Sequence, residues 1–151
     1  MPPDSYRRRL PHLRRDGGIY FVTWRLQRLQ APLQPAERTV VLQALRTFDG
    51  PRFHLLAAVV MDDHVHAIVQ PLRGNLLERI VQGWKSASAR ALAVGARVGG
   101  CWQREYYDRL LRSDRDLLDT LAYVRNNPRR RWPGIREYPW LYTSPTPRLE
   151  A

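Results

Sequence analysis

Cysteine is almost missing from this chain, Cys101 being the single one in 151 residues. That excludes an internal disulfide framework and a multi-cysteine zinc site, and it suits a reducing compartment. Lysine is equally scarce: Lys85 is the one lysine among 25 basic residues, so arginine carries the positive charge. Guanidinium suits bidentate phosphate recognition, but genomic base composition produces the same bias, so the skew itself carries little weight. Long apolar runs are absent as well. The longest, Leu55 to Met61, is far short of the ~18 residues needed to span a bilayer, and the opening Met1 to Arg9 has no apolar signal-peptide core. These absences predict a soluble, cytoplasmic chain with no membrane partner. Acidic residues are few too, 14 in all, and the net charge is +11. So strong an excess in so short a chain favours a polyanion, with nucleic acid first, because each neutralised phosphate releases counterions.

A chain of this length is normally one domain with a core that needs no staples, and no repeat or linker argues for a second. The expected organisation is a single domain over residues 1–151, with a basic arm at 1–17 and a mostly irregular tail at 133–151. The arm carries Arg7, Arg8, Arg9, Arg14 and Arg15 and ends in the turn signal Asp16-Gly17-Gly18. Ile19 to Leu26, dense in aromatic and β-branched residues, reads as a mostly buried strand. Gln34-Pro35 opens a helix whose stripe Val41, Ala44, Leu45, Phe48 stops at Asp49-Gly50-Pro51. Arg52 to Val60 and His64 to Gln70 form an antiparallel hairpin. A long helix runs from Asn75 to about Val94, and Glu105 to Leu111 is a fourth strand. The order β-α-β-β-α-β is the split pattern of ferredoxin-like and RRM-like α+β domains. Beyond Pro133 the first half of the tail packs through Tyr138, Trp140 and Tyr142.

Two stretches carry chemistry. In Val59 to Val69 the motif His64-Val65-His66 lies on a strand, so the two histidines share one face with Cα atoms ~6.6 Å apart and can converge on one cation. Two nitrogens leave such a site open, and the same pair could equally be buried and hydrogen-bonded; a third partner is needed. Ser113-Asp114-Arg115-Asp116 resembles a capping box with Asp in place of Glu or Gln, and opens a helix from about Asp114 to Asn126. On it Asp116, Thr120, Tyr123 and Asn127 form a polar stripe beside an apolar face. Tyr123 and Asn127 are neighbours if the helix survives to Asn127 despite Pro128. The alternative is a boundary tyrosine and a capping asparagine.

Val60-Met61-Asp62-Asp63-His64-Val65-His66-Ala67-Ile68-Val69, Trp102-Gln103 with Tyr107-Asp108, and Tyr123-Val124-Arg125-Asn126-Asn127-Pro128 stand in this order. They resemble the successive motifs of the REP-associated tyrosine transposases, within the single-tyrosine HUH superfamily. Tyr6-Arg7-Arg8 followed by Tyr20-Phe21-Val22-Thr23 is similar too, so the resemblance covers residues 6 to about 142. It implies the same ferredoxin-like fold, with the catalytic tyrosine on the C-terminal helix, and cleavage and rejoining of single-stranded, hairpin-forming DNA. By resemblance Tyr123 is the nucleophile, giving a 5′-phosphotyrosine and a free 3′-hydroxyl. His64 and His66 bind a divalent cation, Mg²⁺ or Mn²⁺, and Asn127 is a further ligand. Two departures stand out. Asp62-Asp63 replaces the more usual Pro-Asn, and Arg129-Arg130-Arg131-Trp132 replaces a small, apolar continuation. The protein implied is a cytoplasmic, nucleoid-associated monomer or homodimer with no small-molecule cofactor.

For DNA contacts the candidates are Arg7, Arg8, Lys85, Arg125, Arg129, Arg130, Arg131 and Trp132. Single-strand binding combines basic grooves with aromatic platforms, and Trp132 lies among arginines. It could also anchor the tail, and Lys85 could simply face solvent. Two other readings use the same residues: a catalytically silent nucleic-acid-binding module, and a metal-dependent phosphoesterase without a covalent intermediate. A covalent protein–DNA adduct separates them from the transposase.

Overall fold

The alternation along Ile19–Arg25 sorts the whole molecule into layers. In the computed structural model, which describes residues 5–7, 17–95, 97 and 100–145, this segment is strand β2, following a short β1 at Ser5–Arg7. Tyr20, Val22 and Trp24 point to one side of the sheet and are buried in the larger of two apolar clusters; Phe21 belongs to the smaller cluster on the other side. Period-two alternation buries both faces of the strand. Helix α1 (Pro35–Arg46), strands β3 (Phe53–Val60) and β4 (His64–Pro71), helix α2 (Leu77–Val94), strand β5 (Tyr107–Leu111), helix α3 (Asp114–Arg131) and strand β6 (Leu141–Thr143) follow. Val41 and Leu45 of α1 and Leu77, Ile80, Val81 and Trp84 of α2 fill the Trp24 side. Leu117, Leu121 and Val124 of α3 cover the Phe21 side with Leu56, Val59 and Ile68.

The six strands form one sheet in the order β1-β5-β2-β4-β3-β6, every pairing antiparallel. Its central four strands with α1 and α2 are the expected ferredoxin-like βαββαβ sandwich, and α3 closes the opposite face. Both edge strands lie where irregular chain was expected. Ser5–Arg7, within the stretch read as a basic arm, pairs with β5, and Leu141–Thr143, within the tail read as irregular, pairs with Ala57 to Val59 of β3. An added edge strand is held by backbone hydrogen bonds to an existing edge, so three residues suffice and no side-chain periodicity announces them. Tyr138, Trp140 and Tyr142 do pack: Tyr138 donates a 2.6 Å hydrogen bond to the Val60 carbonyl and stacks on Trp132, and Trp140 Nε1 donates to Thr39 Oγ1 at 2.9 Å. Burial, only partly offset by Arg38, pushes the Tyr138 phenol up to about 12, so it remains a donor.

Helix α3 runs five residues beyond the expected end at Asn126, continuing through Pro128 to Arg131. Proline there lacks the N–H that would bond the Val124 carbonyl, a defect that ordinarily breaks a helix. Tertiary contacts override it. Pro128 and Asn127 are buried, the Trp132 N–H donates to the Pro128 carbonyl at 2.7 Å, and Arg131 Nη2 donates to Asp62 Oδ2 at 2.6 Å. At the other end Ser113 Oγ accepts from the Asp116 N–H at 3.0 Å, one half of the capping box. The Asp116 carboxylate reaches past it to the Arg112 N–H and receives both Arg109 Nη1 contacts at 3.0 and 2.9 Å, while Arg109 Nη2 donates to Thr120 Oγ1 at 3.2 Å. Arg109 is on β5, so the lower half of the polar stripe bolts the helix to the sheet.

Asp116→Ala removes the half-buried carboxylate that holds Arg109 and leaves that guanidinium without its main partner. Urea denaturation is expected to show a loss of about 1–3 kcal/mol. A variant as stable as the parent would show that the Asp116–Arg109 contact adds nothing to the hold on α3.

Candidate active site

The site grows from two antiparallel pairings. β2 and β4 align Thr23 with His66 and Arg25 with His64, and residues directly opposite in such a ladder share a face. That face is the one covered by α3. The pairing is made visible by contact: His66 Nδ1 lies 2.7 Å from Thr23 Oγ1. His64 Nδ1 lies 2.6 Å from Asp63 Oδ1. A carboxylate only accepts, so Nδ1 carries the proton of this bond and, in the neutral ring, Nε2 is the nitrogen that keeps its lone pair. The two imidazoles meet edge to face with centroids 4.7 Å apart.

Electrostatics keep His66 suited to ligation. Burial first, then the charges of His64, Arg25 and Arg130, hold the His66 pKa down to about 3, so its ring is neutral at physiological pH. Burial raises the Asp63 pKa, but the His64 hydrogen bond and the charges of His64, Arg131 and Arg25 outweigh it and keep the carboxyl below its ordinary range. Above these rings stands the upper half of the α3 stripe. Tyr123 packs edge-on against His66 at 5.4 Å between centroids and against Phe21 at 6.0 Å, with its side chain 40% exposed. Arg130 lies 5.1 Å from the Tyr123 ring centre. Asn127, one turn on, is buried. The sheet thus brings His64, His66 and the helix-borne Tyr123 into one partly open cluster.

The donor set fits a divalent cation. Each histidine has Nδ1 engaged by a neighbouring oxygen and Nε2 left for a ligand, the usual arrangement in which outer partners orient metal-binding imidazoles. Among the described residues no group of three His, Cys, Asp or Glu side chains gathers, and Asn127, the further ligand expected by resemblance, is buried on α3.

The sequence model of the family described as "Transposase IS200 like" matches residues 20–127, a span that runs from β2 to Asn127 and includes the whole cluster. The chain belongs to that family. It is a transposase of the single-tyrosine HUH class, and its relatives are REP-associated tyrosine transposases. A Haemophilus influenzae protein so named is 28% identical over 134 residues, covering 79% of this chain and 76% of that one. Among solved structures, a REP-associated tyrosine transposase bound to a REP hairpin superposes with a TM-score of 0.70 at 20% identity, over 85% of this chain and 79% of the other. A Deinococcus radiodurans protein described as a transposase superposes with a TM-score of 0.51 at 24% identity, over 72% of this chain and 88% of the other.

In this transposase the other expected contact residues scatter. Arg125, Arg129 and Arg130 are exposed on α3. Arg131 is committed to Asp62, and this one ion pair joins the two places where the sequence departs from the family pattern. Trp132 is half-buried, one contact being Tyr138 with rings 5.6 Å apart, and Arg38 and Arg131 lie within 5.7 and 5.6 Å of its ring centre. It therefore packs against Tyr138 of the tail. Lys85 lies on α2, across the sheet from the histidines, and donates to the carbonyls of Gln103 and Arg104 at 2.8 and 2.9 Å; it is neither a free surface lysine nor part of the cluster. Arg7 is in β1, and Arg8 lies outside the described residues. Thr23, Arg25 and Phe21 were missed, because nothing in a strand's own composition says which strand it will lie beside.

Asp62 is 8% exposed, and its Oδ1 has no hydrogen-bond partner while Oδ2 meets Arg131. Arg131→Gln should therefore leave a buried carboxylate without its cation and lower the melting temperature, by about 2–4 °C per kcal/mol for a chain of this length. An unchanged melt would place the hold on the Pro128 turn in the Trp132–Tyr138 stack.

Proposed function

We propose that this transposase cleaves and rejoins single-stranded, hairpin-forming DNA through a 5′-phosphotyrosine on Tyr123. The observation that carries the reading is Tyr123 itself. It is the tyrosine in ring contact with His66, it is substantially exposed, and it sits beside the neutral His66 imidazole and the adjoining His64 on a strongly basic protein. The hairpin part rests on the relative whose structure was solved with a REP hairpin.

His64 and His66 would hold Mg²⁺ or Mn²⁺ through Nε2, with Asn127 as the further ligand. When bound, such an ion polarises the phosphoryl group and offsets the charge that builds on it. The chain's own residues do the rest. Asp63 and Thr23 orient the two rings, and the α3 anchor on β5 sets the height of Tyr123 above the sheet. The Tyr123 oxygen attacks phosphorus; a phosphorus–oxygen bond to tyrosine forms as the bond to the 3′-oxygen breaks. The phenolic proton passes to solvent, and the departing 3′-oxygen takes one up. Because the phosphotyrosine replaces one phosphodiester by another, a 3′-hydroxyl can reverse the step and join DNA without ATP. Arg125, Arg129 and Arg130 supply phosphate contacts along the exposed side of α3, while Arg7 and Arg8 are placed as contacts by sequence pattern alone.

Tyr123→Phe keeps the ring on Phe21 and His66 and deletes the attacking oxygen. With hairpin-bearing single strands and Mn²⁺, a denaturation-resistant adduct should form with the parent and map to Tyr123, and should vanish in the variant while binding persists. An adduct mapping to Tyr106 or Tyr107, or surviving in Tyr123→Phe, would overturn the assignment; intact binding with no adduct under any metal would favour a silent module.

Metal affinity offers an independent check. Titration with Mn²⁺ should show binding lost in His66→Ala and weakened by about 10–100-fold in Asp63→Asn, whose amide no longer dictates the His64 tautomer. Equal affinities across the three proteins would place the ion elsewhere.

A further inference from the structure

Arg25 has no part in any motif of the sequence, yet the fold delivers it to the reacting centre. Its Cα is paired with that of His64 across the β2–β4 ladder, and the next pair on the same face, Thr23 and His66, is in hydrogen-bond contact. The Arg25 side chain therefore rises beside the His64 ring, on the side of the sheet where Tyr123 stands. Its backbone is held firmly. The Gln103 N–H donates to the Arg25 carbonyl at 2.8 Å, and the adjoining Leu26 N–H donates to the Asp63 carbonyl at 2.9 Å. The residue is exposed, and among the described residues its guanidinium has no ion-pair partner. Its charge is felt at both His66 and Asp63. Asp63 lies near it but is bonded to His64 at 2.6 Å.

An arginine whose backbone is held beside the histidine–tyrosine cluster, and whose guanidinium has no ion-pair partner among the described residues, has a clear chemical use. The phosphodiester to be attacked carries a charge that repels nucleophiles and grows in the transition state, and a planar fork of donors matches two phosphate oxygens. Arg131 cannot serve, since Asp62 holds it; Arg130 approaches from the helix and lies over the Tyr123 ring. We infer that Arg25 is a catalytic residue that grips the nonbridging oxygens of the scissile phosphate from the sheet side, opposite the tyrosine helix.

This rests on the proposed cleavage by Tyr123, and the two can fail separately. The scissile position is first mapped from the wild-type adduct; no adduct would sink the cleavage reading. Arg25→Gln should then slow adduct formation by about 10²-fold at saturating hairpin DNA, with Mn²⁺ affinity and melting temperature unchanged, and Arg25→Lys should recover part of the rate. A rate equal to wild type at saturation would overturn the role. The contact is tested in the non-cleaving Tyr123→Phe background, comparing DNA that carries a methylphosphonate at the scissile position with the natural phosphodiester. Removing the phosphate charge should weaken binding several-fold more with Arg25 than with Arg25→Gln, and a shift at a phosphate two positions away should not. Equal losses in the two backgrounds would show that Arg25 does not touch that phosphate.

Discussion

The antiparallel register of β2 against β4 is the constraint on which the remainder of the site depends. It sets Thr23 opposite His66 and Arg25 opposite His64, and because side chains alternate along a strand, a slip of one residue would turn both histidines into the apolar layer beneath α1 and α2. That layer contains Tyr20, Val22, Trp24, Val65, Ala67 and Val69, all fully buried, so the register is enforced by apolar residues that never touch the chemistry. The polar positions of the same strands are thereby presented, as a set, to α3.

Helix α3 is the second half of the device, and it is held at both ends by different means. Near its start Asp116 and Thr120 engage Arg109 of β5; near its finish Arg131 engages Asp62, two residues before His64. Between them Leu117, Leu121 and Val124 lie in the smaller apolar cluster, a non-directional attraction that leaves rotation and sliding of a helix poorly specified. Directional contacts at the two ends remove that freedom. The stripe Asp116, Thr120, Tyr123, Asn127 thus divides its labour along the helix, the first two positions holding it to the sheet, Tyr123 meeting His66 and Asn127 buried one turn beyond.

The basic character of the chain is distributed by function as well. Arg97 is consumed by Glu37, Arg109 by Asp116 and Arg131 by Asp62, and Lys85 by backbone carbonyls. Each sits where a half-buried charge finds a partner, the condition under which such burial is tolerated. Arg25, Arg125, Arg129 and Arg130 remain outward on the side of the sheet that carries Tyr123. A large net charge attracts nucleic acid from a distance, but the pairing of Arg97, Arg109 and Arg131 removes these three from the arginines free to meet phosphate.

The sequence alone determined the βαββαβ order, both long helices of that unit, the strand placing His64 and His66 on one face, and the helical spacing of Tyr123 to Asn127. All of these are local periodicities, carried by consecutive residues. The ordered motifs also announced the family. Tertiary structure alone decided the rest. Pro128 marked a helix end until burial and the Asp62–Arg131 bond carried α3 past it; Ser5–Arg7 and Leu141–Thr143 became strands because neighbouring edges stood open to them. Arg25 and Thr23 became site residues through a pairing partner about 40 positions away, with Thr23 and His66 separated by 43. Contacts across such separations depend on which elements the chain brings side by side, and no pattern within either segment encodes the identity of its neighbour.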